Sequence, residues 1–256
     1  KERGMKAARL IREAEITPKA ILHVGAHTGE AARTYSEQGI AGYHVEAHPS
    51  AFADLEAVCA SLTNQTAINA CLDDAADKTV NFYVASKEAA SSLLPLGRHQ
   101  VSYPNIKPLE TLEMTTDTVD GLIAAGTVPA SVDFLVIDAG GAEARVLEGA
   151  KALLASGTAW GIVAEVASEP LYEGGASFDS LCADVLKPAG YYLKMASFNP
   201  RGCTDAIFLK RWWPDDAKTP PPLAAHVSGR EGDLHPLLPS ERSQSIARRL
   251  AEYADD

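Results

Sequence analysis

Ile21-Leu22-His23-Val24 is an apolar run that breaks into Gly25-Ala26-His27-Thr28-Gly29-Glu30, and Glu46 ends the next apolar run 21 residues after Gly25. A strand entering a Gly-containing turn, a helix starting there and a carboxylate ending the following strand build a pocket for a nucleoside-bearing ligand. The glycines let the backbone approach the ligand closely, and the acid accepts from two ribose hydroxyls. Asp138 ends a later apolar run, Phe134–Ile137, and is followed by Gly140-Gly141; Glu165 lies near the end of another. Parallel sheets place catalytic side chains at such strand ends, where a carboxylate serves as general base toward a hydroxyl. His27 and His99 are further candidates for proton transfer, since histidine is the side chain suited to it near neutral pH.

The glycine spacing narrows the ligand. A dinucleotide pocket favours G-x-G-x-x-G, so that pyrophosphate rests on bare backbone at a helix N-terminus. Here the middle glycine is missing, and His27 and Thr28 occupy the space a pyrophosphate needs. S-adenosylmethionine has no pyrophosphate, and a bulkier turn cradles its methionine tail. Plainer readings stand beside these. A Gly turn needs no ligand, Asp138 serves equally as N-cap of the next helix, and a lone loop histidine such as His99 is ordinarily solvated. Asp73 lies in an Asp-Asp pair that is also ordinary turn chemistry, and His48 either flanks an adenosine or caps a helix. Tyr83 and Lys87 match the Tyr-x-x-x-Lys spacing of short-chain dehydrogenases, but they fall on an alternating strand pattern close to the glycine turn. No His-Glu-x-x-His, Gly-x-Ser-x-Gly or Gly-x-x-x-x-Gly-Lys-Ser/Thr occurs, which removes zincin, α/β-hydrolase and P-loop readings.

The elements that position these groups alternate along the chain. A helix is expected over residues 2–15, strands over Ala20–Val24, Tyr43–Glu46 and Thr66–Cys71, and helices over about Glu30–Gln38 and Pro49–Leu62. Val80–Val84 reads as a short strand with Leu109–Thr116 as its partner. Phe134–Ile137 and Gly161–Val166 are buried strands, Ala142–Ala155 and Phe178–Ala189 are helices, and Tyr191–Met195 with Ala206–Leu209 form a terminal antiparallel pair. Repeated βα units mean an α/β fold with a mostly parallel sheet and helices on both faces. Residues 1–211 form the expected domain. Residues 212–256 read as a Pro-rich linker, carrying Thr219-Pro220-Pro221-Pro222, and a final helix over about Ser240–Tyr253, whose apolar stripe suits association into a homo-oligomer.

The 256 residues suit one large domain, and a net charge of −11 argues against binding nucleic acid or anionic membrane through a basic surface. The four scattered cysteines, the lack of an 18-residue apolar stretch and the lack of a signal peptide point to a soluble, cytoplasmic protein. The chain starts at Lys1, so an upstream portion is expected to be missing.

Several blocks in order resemble the FkbM family of methyltransferases. They are Leu22–Gly29, Val45–Pro49, Phe82–Ser86, Ser91–Pro95, Asp133–Asp138, Gly141–Glu143 with Val146–Ala150, and Phe198–Gly202 with Asp205-Ala206. The resemblance covers about residues 18–210. It implies the class I methyltransferase fold, a Rossmann-like seven-stranded sheet whose seventh strand is antiparallel, and S-adenosylmethionine-dependent methylation of hydroxyl groups on sugars or natural-product small molecules. It places Val24, Gly25, Ala26, His27, Thr28, Gly29, Glu46, Ala47, Ala70, Leu72 and Asp138 at the cofactor, with Ala70 and Leu72 lining the adenine. It places Asp138 and His99 at the reaction, and Ser91, Ser92 and Glu165 at the acceptor, with residues 89–104 as a flap over the site. The reaction needs no metal in principle. Two departures stand out. Val136 and Gly140 replace a lysine and an acidic or amide residue common in the family, and His23 occupies a position where many such enzymes carry an acid touching the methionine amine. The alternatives are an NAD(P)-dependent oxidoreductase and a binding module that kept the fold without catalysis, for which the Asp138-Ala139-Gly140-Gly141 departure is the best argument.

Overall fold

The computed structural model describes residues 3–198 and 203–210, and the expected Pro-rich linker and final helix lie outside them. The first elements are α1 (Arg3–Glu13), β1 (Ala20–Val24), α2 (Glu30–Glu37), β2 (Ala41–Glu46), α3 (Pro49–Ala60) and β3 (Gln65–Asn69). Then come β4 (Cys71–Leu72), β5 (Thr79–Ala85), the one-turn α4 (His99–Ser102), β6 (Pro108–Asp117), α5 (Val119–Ala124) and β7 (Phe134–Ile137). The described chain closes with α6 (Glu143–Glu148), α7 (Lys151–Ser156), β8 (Gly161–Ala167), α8 (Phe178–Ser180), β9 (Tyr191–Phe198) and β10 (Cys203–Lys210).

Seven strands form one sheet in the order β3-β2-β1-β7-β8-β10-β9. Only β10 runs antiparallel to its neighbours. This is the expected mostly parallel sheet with its last strand reversed, the class I methyltransferase arrangement. The chain winds outward from β1 to β3 and then returns to β7 on the other side of β1. The strand order therefore reverses at β1, and in open α/β sheets ligands bind in the crevice outside the strand ends at such a switch point.

Period-two alternation divides the sheet's side chains between two cores. Leu22, Val24, Leu135 and Ile137 pack on one face with Leu147, Leu153 and Leu154 of α6 and α7. Ile21, Phe134, Val136 and Val163 pack on the other with Leu10 and Ile11 of α1 and Tyr35 of α2. With both faces covered, the central strands read as continuous apolar runs, which is why the sequence displays them clearly.

Besides the one-turn α4, the structure departs from the expected elements at four places. The third strand ends at Asn69, and Cys71–Leu72 leaves the main sheet to pair with β6, which also carries β5 antiparallel. The expected helix over Ala142–Ala155 breaks at Gly149, where a Cβ would stand 2.2 Å from the Asp73 carbonyl oxygen. The Asp120 carboxylate restarts the helix as α7 by accepting from Ala152 N (2.7 Å) and Leu153 N (3.0 Å). The helix expected over Phe178–Ala189 continues from α8 as a π-type segment, Leu181–Leu186. The unexpected α5 begins where the Thr118 hydroxyl accepts from Gly121 N at 2.9 Å, a single cap with little apolar periodicity around it. Cys59, Cys71 and Cys182 are free and buried. No helix of the described residues is long and apolar enough to cross a membrane.

Candidate active site

A cavity of about 970 Å³ opens beyond the ends of β1, β2 and β7. Every residue expected at the cofactor, the reaction or the acceptor lines it except Thr28 and Gly29. The Thr28 hydroxyl lies 3.3 Å from His27 Nδ1. Gly29 is left-handed (φ +79°) at the start of α2 and abuts Leu55. Gly25 is also left-handed (φ +76°), and a Cβ there would lie 1.9 Å from the Asp138 carbonyl oxygen. Only glycine lets the turn after β1 rest against the end of β7.

Glu46 holds this turn in place. Its Oε2 accepts from His27 N (2.8 Å) and its Oε1 from His48 N (2.7 Å). Burial pushes its pKa up, while the two backbone donors and the two histidines oppose that shift. Each carboxylate oxygen retains acceptor capacity for a ligand hydroxyl. His48 is the N-cap of α3, its ring accepting from Ala51 N, so the capping alternative describes its role. It does not line the cavity. Neither does His23, which sits on the opposite face of β1 beside Tyr35 and His44, with ring centroids 6.1 and 5.9 Å away. Burial, reinforced by His44, lowers the His23 pKa to about 3. Its place where related enzymes carry an acid thus brings it no contact with the cleft.

Ala70, Cys71, Leu72 and Phe82 form an apolar wall where the chain turns from β3 into β4. Asp73, the next residue, is fully buried and turned away from the cavity. Arg145 of α6 donates to both its oxygens (2.6 and 2.5 Å), and Lys78 lies 3.6 Å away. Asp73 therefore ties β4 to α6 and is neither an adenine ligand nor a simple turn residue.

Asp138 lies at the far side of the cavity. Its backbone N donates to Val24 O (3.0 Å), which continues the β1–β7 pairing past the last strand residue. Ala142, not Asp138, occupies the N-cap of α6, so the capping reading of Asp138 does not hold. One carboxylate oxygen each of Asp138, Glu143 and Glu165 lie within 4.8 Å of one another. Glu143 is almost fully buried, and its Oε1 accepts from Ala139 N and Gly141 N, both at 3.0 Å. Burial first, then Glu165 and Asp138, raise its pKa to about 8.

The two glycines after Asp138 are expected to leave room for an acceptor, but the flap and Tyr172 fill that room. Gly140 (φ +60°) packs against Ser91 and Ser92, and a Cβ on Gly141 (φ +89°) would lie 2.8 Å from the Tyr172 ring. Ser92 Oγ donates to Gly140 O (2.7 Å) and accepts from Leu94 N (2.9 Å), while Ser91 Oγ accepts from Ala85 N (3.0 Å). Both serines line the cavity, yet their hydroxyls hold the flap's backbone. His99 is not solvated. It is 1% exposed, with its ring between those of Tyr103 (4.7 Å) and Tyr172 (5.2 Å). Glu88, on the short 3₁₀ turn Glu88–Ala90, reaches His27 Nε2 (3.8 Å) and His48 Nδ1 (3.7 Å) across the mouth.

Sequence reasoning assigned no role to Glu143, Glu88 or Tyr103. The one available signal was for Glu143, an acid at the opening of the helix that follows the Asp138 turn. Glu88 and Tyr103 sit in a segment without periodicity and reach the site only through tertiary folding.

Among solved structures the chain is similar to a TehB-like SAM-dependent methyltransferase from Corynebacterium glutamicum ATCC 13032 Kitasato, at 14% identity over 82% of this chain and 89% of that one (TM-score 0.44). It is also similar to a SAM-dependent methyltransferase from Aquifex aeolicus, at 11% identity over 78% and 87% (TM-score 0.44). A third similar structure is Aeropyrum pernix fibrillarin in complex with S-adenosyl-L-methionine, at 16% identity over 80% and 74% (TM-score 0.45). A search of curated proteins found no match. The methyltransferase FkbM domain model matches residues 23–193, a span that contains every residue lining the cavity, and the chain belongs to that family.

Proposed function

We propose that the protein is an S-adenosylmethionine-dependent O-methyltransferase whose acceptor is a hydroxyl on an uncharged sugar, glycan or natural-product small molecule. One observation carries this reading. A single cavity at the sheet's switch point joins the Gly25–Glu46 ribose corner to the Asp138 and Glu165 carboxylates. The donor set fits the cofactor. Glu46 offers acceptor capacity to two ribose hydroxyls, Ala70, Leu72 and Phe82 offer an apolar wall to a base, and the backbone of Gly25–His27 faces the amino-acid tail. When bound, S-adenosylmethionine supplies an electrophilic methyl group that passes to the acceptor oxygen as its bond to sulfur breaks, leaving a neutral thioether.

This chain's residues supply the rest. Asp138 accepts the proton that the hydroxyl loses as its oxygen gains the methyl group, a contribution on the order of 10²–10⁴-fold. The flap, with His99 and Tyr103 on its inner side, excludes water and orients the acceptor. The Asp138 and Glu165 carboxylates at this end repel phosphate or carboxylate acceptors and accept hydrogen bonds from sugar hydroxyls.

Calorimetry distinguishes this reading from a nicotinamide-dependent one. S-adenosylhomocysteine is expected to bind with one-to-one stoichiometry, while NADH and NADPH give no heat. Binding of NAD(P)H without S-adenosylhomocysteine would overturn the proposal.

A further inference from the structure

Glu143 is the most deeply buried of the three carboxylates at the acceptor end, at 5% exposed. Its neighbours there are acids: Glu165 from β8 and Asp138 from the end of β7. Oε1 is committed to Ala139 N and Gly141 N, which shape the turn that carries Asp138. Three carboxylates this close cannot all be ionised without strong mutual repulsion, and the member furthest from water loses least by keeping its proton.

We propose that Glu143 is a positioning residue that stands as the neutral acid, holding the Asp138–Gly141 turn through one oxygen and donating its proton through the other to the Asp138–Glu165 pair. The pair then carries its negative charge toward the acceptor, with the lone pairs on its inner side engaged by that proton. Asp138 is thereby aimed at the hydroxyl as its base. The role goes beyond the three residues expected at the acceptor, and it rests on the proposed methyl transfer only for its catalytic consequence.

Two measurements test it. In the full chain labelled with ¹³C at glutamate carboxyls and saturated with S-adenosylhomocysteine, the resonance missing from E143Q belongs to Glu143. It is expected to titrate with a midpoint near about 8. This arm needs no acceptor, so it stands whether or not the methyl-transfer reading holds. A midpoint below about 5.5, near an ordinary glutamate, overturns the proposal. So does a midpoint that falls to that range on adding Mg²⁺, because a cation would then occupy the place given to the proton.

The second arm is single-turnover methyl transfer across pH. The native rate is expected to fall as pH rises through the Glu143 midpoint. E143Q keeps an acceptor for the two backbone amides and a donor for the carboxylates, so it should recover at least about tenfold over E143A and lose the alkaline fall. An E143Q rate no better than that of E143A, or an unchanged alkaline limb, contradicts the donor role. If E143A does not fold, the pH profile of E143Q and the carboxyl titration still decide.

Discussion

Glu46 shows how one side chain builds a site. Its two oxygens fix the backbone of His27 and His48, so the carboxylate proposed to meet the ribose also sets the shape of the glycine turn. Glu46→Ala removes a charged acceptor worth about 1.5–3 kcal/mol. S-adenosylhomocysteine should therefore bind about tenfold or more weaker by calorimetry, and unchanged affinity would remove Glu46 from the cofactor site. At this scale the sequence was legible where backbone geometry dictates residue type. Gly25, Glu46 and Asp138 announce themselves because a left-handed turn and two strand ends admit few other placements. Asp73 and His99 were not legible, since Arg145 lies 72 positions from Asp73 and Tyr172 lies 73 positions from His99. His23 was misleading for a different reason. It shares the strand of the glycine turn, but the strand's period of two sends it to the face opposite Val24.

Among the elements, the flap between β5 and β6 lines the cavity through Ser91, Ser92, His99 and Tyr103. Its apolar residues Ala90, Leu94 and Leu96 form a small cluster with Ala142 and Tyr172. Tyr172 donates to Ala90 O at 3.2 Å, and Arg98 pairs with Glu169 at 2.5 Å. The left-handed glycines Gly140 and Gly141 permit this contact because neither carries a Cβ. Gly141→Ala places a methyl group against the Tyr172 ring in a strained conformation, at a cost of about 1–3 kcal/mol. Trypsin should then cut after Lys87 or Arg98 faster than in the native protein, and S-adenosylhomocysteine should slow the cutting in both. Equal rates in the two proteins, with and without ligand, would count against a flap anchored at the Asp138 turn. The flap's short helix was not foreseen, because one turn carries no periodicity.

For the molecule as a whole, the parallel sheet covered on both faces was the part most open to sequence reading, since buried strands are continuous apolar runs. The price of covering both faces is that polar side chains on the strands become buried. Among the described residues, Nδ1 of His23, Nδ1 of His44 and the Tyr35 hydroxyl have no hydrogen-bond partner. Burial lowers the pKa of His44, and His23 falls to about 3. An unfolded histidine binds a proton near pH 6.5, whereas the folded His23 does not. Its contribution is thus fully present above pH 6.5 and is lost as pH falls toward 3, at about 1.4 kcal/mol per pH unit. Glu143 has the opposite sign, since its raised pKa gives stability that is lost as pH rises toward 8. Comparing urea midpoints of the native protein and His23→Leu isolates the first effect. The native protein should lose more stability than the variant between pH 7 and pH 5, and parallel losses would contradict this account.

The central claim is that this family's cleft, in this chain, moves a methyl group to an oxygen under the control of Asp138. The most direct test is single-turnover transfer of a labelled methyl group from S-adenosylmethionine to the acceptor by native protein and Asp138→Asn, with a cofactor binding isotherm for each. Asp138→Asn should bind the cofactor as the native protein does and transfer the methyl group at least about tenfold more slowly, the low side of a general base's contribution. Native-like transfer by Asp138→Asn, or loss of cofactor binding together with transfer, would contradict the role assigned to Asp138.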